Sequence, residues 1–198
     1  MDANDAIDKF RQFVKGVPGY APETFDIALP YIEVRRVEKG DFVVELGKTS
    51  RYLAFVAEGF IRGYKLFDGV ESTTCLCGSN SFATSTSSFI TQSPSSLALQ
   101  ALEPVTLVLL SHDSLQNLYA ASPFWEKVGR YIAEHEFLSM HSNSWRNGPI
   151  SAHEKYLTLM SENPGIVNTV PLHYIASYIG ITPETLSRIR RKLSKGIS

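Results

Sequence analysis

Residues 170–193 read VPLHYIASYIGITPETLSRIRRKL, and the punctuation of this stretch decides how the C-terminal part folds. Pro171 to Ile179 has the apolar spacing of a short helix, with Ile175, Ala176 and Ile179 turned inward, and Gly180 supplies a residue that tolerates a left-handed turn. Thr182 then stands at an N-cap, with Pro183 at the first helical position, where a missing N–H does no harm. Two helices joined by a tight glycine turn make a helix-turn-helix. In the second helix Leu186, Ile189 and Leu193 form one stripe toward the core, which leaves Glu184, Thr185, Ser187, Arg188 and Arg191 on other faces. That distribution suits a major-groove reader. An arginine donates two hydrogen bonds to guanine, a glutamate accepts from cytosine, and the cations that follow neutralise phosphates.

The charge of this end agrees with that purpose. The whole chain carries a net charge of −1, but between Thr182 and Lys195 five basic residues (Arg188, Arg190, Arg191, Lys192 and Lys195) face one acid, Glu184. Binding to nucleic acid responds to such local asymmetry rather than to the total.

Upstream, Gly148-Pro149 reads as a hinge, and Ser151 with Glu154 forms a capping box that starts a helix through about Ser161, with Tyr156, Leu157 and Met160 as its buried side. Before the hinge, Pro123 opens a run with few breakers, which predicts one long helix to about Asn147. Phe124, Val128, Tyr131, His135, Leu138, Ser142 and Trp145 alternate four and three apart, the spacing of a two-stranded coiled-coil seam, and they are the expected dimer interface.

From Ile32 to Leu110 strand chemistry dominates. Short β-branched and aromatic runs (Phe42 to Val44, Tyr52 to Val56, Phe60 to Phe67) are punctuated by Gly40, Gly47, Gly59 and Asp68-Gly69. Close, regular spacing of this kind means a sandwich or barrel. One segment, Ser79 to Ser96, breaks the rhythm with Ser, Thr, Asn and Gln around Phe82, Phe89 and Ile90, as a structured loop with a helical turn would. The first thirty residues read as two helical pieces separated at Val17-Pro18-Gly19.

The composition narrows the function class. With 198 residues, 43% hydrophobic and 20% charged, the chain reads as an ordinary globular protein. It has no run of the roughly 18 or more apolar residues that a membrane span needs. Met1 to Asp5 is acidic where a signal peptide would be basic, so a cytoplasmic location without membrane association is expected. Cys75 and Cys77 sit two apart in a strand and suggest neither a disulfide framework nor a zinc knuckle. A β-barrel metalloenzyme would need a His-x-His pair on adjacent strands, and no histidine lies between Ile32 and Leu110. No nucleophile elbow, phosphate-binding loop or His-Glu-x-x-His is present, so no enzyme and no cofactor are expected.

The order of a β-rich part, a long helix and a C-terminal reader, together with the string Gly-Ile-Thr-Pro-Glu-Thr-Leu-Ser-Arg at 180–188, resembles the Crp/Fnr family of transcription regulators. The resemblance implies an α+β chain: a β-roll (double-stranded β-helix) sensor domain of cyclic-nucleotide-binding type at 1–121, a dimerisation helix at 122–147, and a winged helix-turn-helix domain at 148–198. The segment before Pro171 is short for a full wing. The resemblance makes Glu184 and Arg188 base contacts and Thr182 and Thr185 phosphate contacts, with Ser187, Arg191 and Lys192 completing the DNA-binding set. Pro183 departs from the family pattern, which places a further base-contacting arginine there, so no operator sequence carries over. The implied partners are double-stranded DNA, a second copy of the chain, RNA polymerase and a small-molecule effector of unknown identity, if one exists.

Family members that bind cyclic AMP hold its phosphate in a cassette of the form Phe-Gly-Glu followed by Arg-Ser or Arg-Thr. Aligned on Phe82 and on Pro94 to Ser96, this chain offers Ala83 for the glycine, Thr84 or Ser85 for the glutamate and Ser95 for the arginine. No Lys or Arg lies between Lys65 and Lys127, and an uncompensated buried phosphate costs several kcal/mol. Phe82, Ala83, Thr84, Ser85, Thr86, Ser95 and Ser96 are therefore a candidate effector pocket, but not one for cyclic AMP. Iron–sulfur and haem sensing lack ligands, because there are two cysteines and His112, His135, His141, His153 and His173 are scattered. The alternative is a signalling module of the same architecture whose C-terminal helices bind protein.

Overall fold

Strands account for the middle of the chain: β1 (Ile32–Val37), β2 (Phe42–Val44), β3 (Tyr52–Glu58), β4 (Ile61–Phe67), β5 (Val70–Cys77), β6 (Ser81–Phe82), β7 (Ala98–Ala101) and β8 (Val105–Ser111). The computed structural model describes residues 1–142, 148–162, 164–194 and 196. The strands form two antiparallel four-stranded sheets, ordered β1-β8-β3-β6 and β2-β7-β4-β5. The period of two along a strand separates two cores. Ala54 and Val56 of β3 and Val105, Leu107 and Leu109 of β8 meet Ile61, Leu99 and Ala101 of the other sheet. Phe55 and Ala57 of β3 and Val108 and Leu110 of β8 face the opposite way, into a layer of helices. Burial on both faces is why Val105 to Leu110, Thr106 apart, is apolar without alternation. Between β4 and β5, Asp68 and Gly69 have φ of +50° and +79°, the tight two-residue turn that matches the twist of paired strands.

The helical layer comprises α1 (Ala3–Val14), α2 (Pro22–Asp26), α4 (His112–Ala121) and α5 (Pro123–Ser142). Phe10, Phe25, Leu118, Trp125 and Val128 are its centre. Trp125 is wholly buried, and its Nε1–H donates to the Thr24 carbonyl at 2.8 Å, so the indole leaves no orphan donor. A short helix, α3 (Thr86–Thr91), lies in the polar segment after β6.

Four C-terminal helices, α6 (Ala152–Glu162), α7 (Ile166–Thr169), α8 (Leu172–Ile179) and α9 (Pro183–Ser194), enclose a third core. The capping box forms as expected: the Ser151 N–H donates to Glu154 Oε2 at 2.8 Å and the Glu154 N–H to Ser151 Oγ at 3.2 Å. The inward row of α6 runs through Tyr156 and Leu159, and Leu157, expected inside, is 40% exposed. It sits about 100° round the helix from Tyr156. Among the described residues no strand follows β8, so the expected wing is not found there.

The third core is shared between the helices and the β-roll. Leu102, Phe60 and Leu76 come from the β-roll, and they pack with Ile175, Ile179, Leu186 and other residues of the helices. Beside them Arg62 of β4 is 1% exposed. Its Nε–H donates to Thr73 Oγ1 at 2.9 Å and its Nη1–H to Glu71 Oε2 at 2.6 Å. Its guanidinium lies 3.8 Å from the Tyr174 ring centre and 4.5 Å from that of Tyr64. The Thr73 N–H in turn donates to Ser177 Oγ of α8 at 3.0 Å.

Candidate nucleic-acid interface and effector pocket

The α8–α9 unit is built by its turn. Gly180 has φ +72°, and the N–H of Ile181 returns to the Ala176 carbonyl at 2.9 Å, closing α8 with a left-handed glycine cap. Thr182 Oγ1 accepts from the Thr185 N–H at 3.2 Å and so caps α9. Leu186 and Ile189 are buried against α8, which fixes the face that α9 turns outward. Thr182, Glu184, Ser187, Arg188, Arg191 and Lys192 are exposed and Thr185 is half-buried, so all seven candidate DNA contacts lie on the outer side of one helix and its cap. Arg188 Nη2–H donates to Thr185 Oγ1 at 3.3 Å. Its own backbone N–H, helped by the Thr182 hydroxyl and the Arg188 charge, holds the Glu184 carboxyl below the usual carboxylate range. The outward face thus presents an ionised acceptor at one end and cations along the rest.

The candidate effector segment folds into two unlike parts. The first is a closed set of hydroxyls. Ser95 Oγ bonds to Ser85 Oγ at 2.7 Å, the Leu97 N–H donates to Ser95 Oγ at 3.0 Å, and Ser88 Oγ accepts from the Ser50 N–H at 2.9 Å while donating to the Ser93 carbonyl. Thr84 Oγ1 accepts from the Ala54 N–H at 3.0 Å. Phe82 and Ala83 are buried in two different cores, and Thr86 and Ser96 are exposed. Among the described residues Ser50 Oγ is buried without a partner. The second part is a recess of about 350 Å³ between α3, α4 and α5, lined by Phe82, Phe89, Leu115, Ile132 and Glu136 among others. Spacing along the chain gave no signal for this recess, because α4 and α5 form its far wall.

The expected dimer seam is corrected in part. Phe124 and Val128 are 7% and 0% exposed inside their own protomer, and Tyr131 and His135 pack on the Phe13 ring at 5.5 and 5.7 Å. A four-three spacing marks an apolar face but not what covers it, and here α1 covers it. Leu138 remains 63% exposed, while Trp145 and the side chain of Ser142 lie outside the described residues. The free apolar stripe of α5 runs instead through Ala133, Phe137 and Met140, with Phe137 68% and Met140 75% exposed.

Residues 34–122 match the family model of the cyclic nucleotide-binding domain. FixK2 from Bradyrhizobium japonicum is similar over 84% of this chain and 86% of its own, at 18% identity and a TM-score of 0.71. The fold is that of the Crp/Fnr-like regulators. The c-di-GMP-responsive global regulator CLP of Xanthomonas campestris is similar over 89% of this chain and 93% of its own, at 18% identity and a TM-score of 0.68. The catabolite activator protein of Thermus thermophilus is similar over 90% and 86%, at 21% identity and a TM-score of 0.52. No curated protein sequence matches the chain. Like other Crp/Fnr-like folds it combines a β-sheet domain with C-terminal helices, and no helix among its described residues is long and apolar enough to cross a membrane.

Proposed function

We propose that this Crp/Fnr-like chain is a homodimeric, sequence-specific DNA-binding transcription regulator whose α9 enters the major groove. The observation that carries the proposal is the outward face of α9. Glu184 and Arg188 stand one turn apart near its N-terminal end, where a recognition helix meets base edges, and Arg191 and Lys192 follow where phosphates run. Two copies would pair along the free stripe of α5, where Ala133 permits close approach and Phe137 and Met140 supply the apolar area. The effector is not cyclic AMP, because the hydroxyl set in the cassette's place is closed and carries no cation.

Selection of binding sites from random duplex DNA at two salt concentrations tests the proposal. A two-fold symmetric consensus with half-sites about one helical turn, roughly 34–36 Å, apart is expected. Arg188→Ala should then cost about 1–3 kcal/mol and relax one base pair per half-site, whereas Lys192→Ala weakens every sequence alike and lowers the salt slope by about 1. Equal loss by Arg188→Ala on specific and scrambled DNA would refute its role as a base contact. Absence of any consensus would favour protein binding by α8 and α9.

A further inference from the structure

The recess beside the hydroxyl set has a chemistry of its own. Its walls are mainly apolar, with Phe82, Phe89, Leu115 and Ile132 beside the hydroxyl-bearing Thr84, Thr86 and Tyr119, and no Lys or Arg lines it among the described residues. Its single carboxylate is Glu136, whose side chain is 30% exposed and which lies 3.9 Å from His135 Nδ1, beyond hydrogen-bond reach. Burial pushes the Glu136 carboxyl up to about 7. The recess encloses about 350 Å³, toward the lower end of the 300–1,000 Å³ typical of small-molecule sites.

Charge decides between occupants. A phosphate or carboxylate ligand would meet a like charge with no cation to offset it. A purely apolar molecule would strip water from Glu136 and return no hydrogen bond. A protonated amine on an apolar body satisfies both the walls and the carboxylate. We propose that this recess binds a small amine with an aromatic or alkyl body, its ammonium donating to the Glu136 carboxylate and its body lying among Phe82, Phe89, Leu115 and Ile132. Phe137 and Met140 stand at the mouth, on the stripe assigned above to pairing, so a second copy would close the recess over its occupant. The binding site stands by itself, and only its coupling to DNA rests on the proposed function.

Calorimetry on the full chain at pH 8 with 4-phenylbutylamine, 4-phenylbutanol and 4-phenylbutyrate, three head groups on one body, tests the site. The amine should bind at least about tenfold more tightly than the alcohol, about the size of one charge-assisted hydrogen bond, with the acid weakest. Glu136→Gln should bring the amine to the level of the alcohol, and Ala133→Trp, a change at an exposed position of the lining, should block all three. Equal binding of the three heads, amine binding unchanged by Glu136→Gln, or no binding at millimolar concentration would overturn the proposal. Site selection on the same preparation separates the two conclusions. A DNA consensus without amine discrimination removes the ligand site alone, and amine discrimination without a consensus removes the DNA reader alone.

Discussion

Replacing Arg62 by alanine should destabilise the protein by about 4–5 kcal/mol, and the structure apportions the loss. The hydrogen bond to Thr73 is charge-assisted and buried, worth about 1.5 kcal/mol. Glu71 is 47% exposed and regains water once released, so its ion pair contributes only about 1 kcal/mol. The guanidinium against Tyr174, 3.8 Å away in a site closed to solvent, adds about 1 kcal/mol. The vacated aliphatic stem leaves a void costing a further kcal/mol or so, on the order of the removed methylenes. Urea unfolding measures the total, and hydrogen exchange locates it. The Thr73 amide, which bonds to Ser177 across the junction, should lose protection first. Arg62→Lys should recover less than half of the loss, since an ammonium lacks the planar fork that reaches Thr73 and Glu71 together. A double-mutant cycle of Arg62→Ala with Tyr174→Leu should show about 1 kcal/mol of coupling. A total loss below about 1 kcal/mol, or zero coupling, would refute the assignment of Arg62 as the group that holds α8 to the sheet.

Three further outcomes follow from other sites. Folding raises the Glu136 carboxyl from an ordinary 4.5 to about 7, so the folded state holds a proton that the unfolded state has lost, and stability should fall as pH rises between those values and level off above them. Glu136→Gln should abolish that slope in pH-dependent urea unfolding. The size is at most about 3 kcal/mol and is reduced by the solvent that reaches the group. Gly129→Ala should destabilise by about 1–2 kcal/mol, because the added methyl meets the Tyr119 ring, yet in a Tyr119→Ala background it should stabilise by up to about 1 kcal/mol through helix propensity, as thermal unfolding of the four proteins would show. Thr182→Ala removes the cap of α9 and should cost about 1 kcal/mol in thermal unfolding, while Thr182→Ser should cost a few tenths or less.

The features that were legible in the sequence are those written in local spacing. The strand runs and the Asp68-Gly69 turn, the Ser151–Glu154 box, the start of α5 at Pro123 and the cap, turn and cap of α8 and α9 all depend on residues within four positions of one another. The Ser111-capped α4 follows β8 without a loop, and its two buried apolar residues, Leu115 and Leu118, are too few to mark a helix by spacing alone. What covers a face was not legible either. The Phe124 and Val128 stripe looked open to a partner, and only the return of α1 across it shows that it is internal. Arg62 carried no signal, since a lone arginine in a strand ordinarily faces water and its partner Tyr174 lies far along the chain. Glu136 was likewise one acid among several on a long helix until α3 and α4 closed over it.

The sharing of one core between Phe60, Leu76 and Leu102 of the roll and the C-terminal helices bears on how the chain comes apart. A fragment cut at the Gly148-Pro149 segment would leave Ile175, Ile179 and Leu186 without part of their cover, a surface prone to self-association. The two halves are therefore expected to melt in a single transition and to be rescued together by anything that tightens the junction. Truncated versions are better designed by retaining β4 and β5 with the helices than by cutting at the linker.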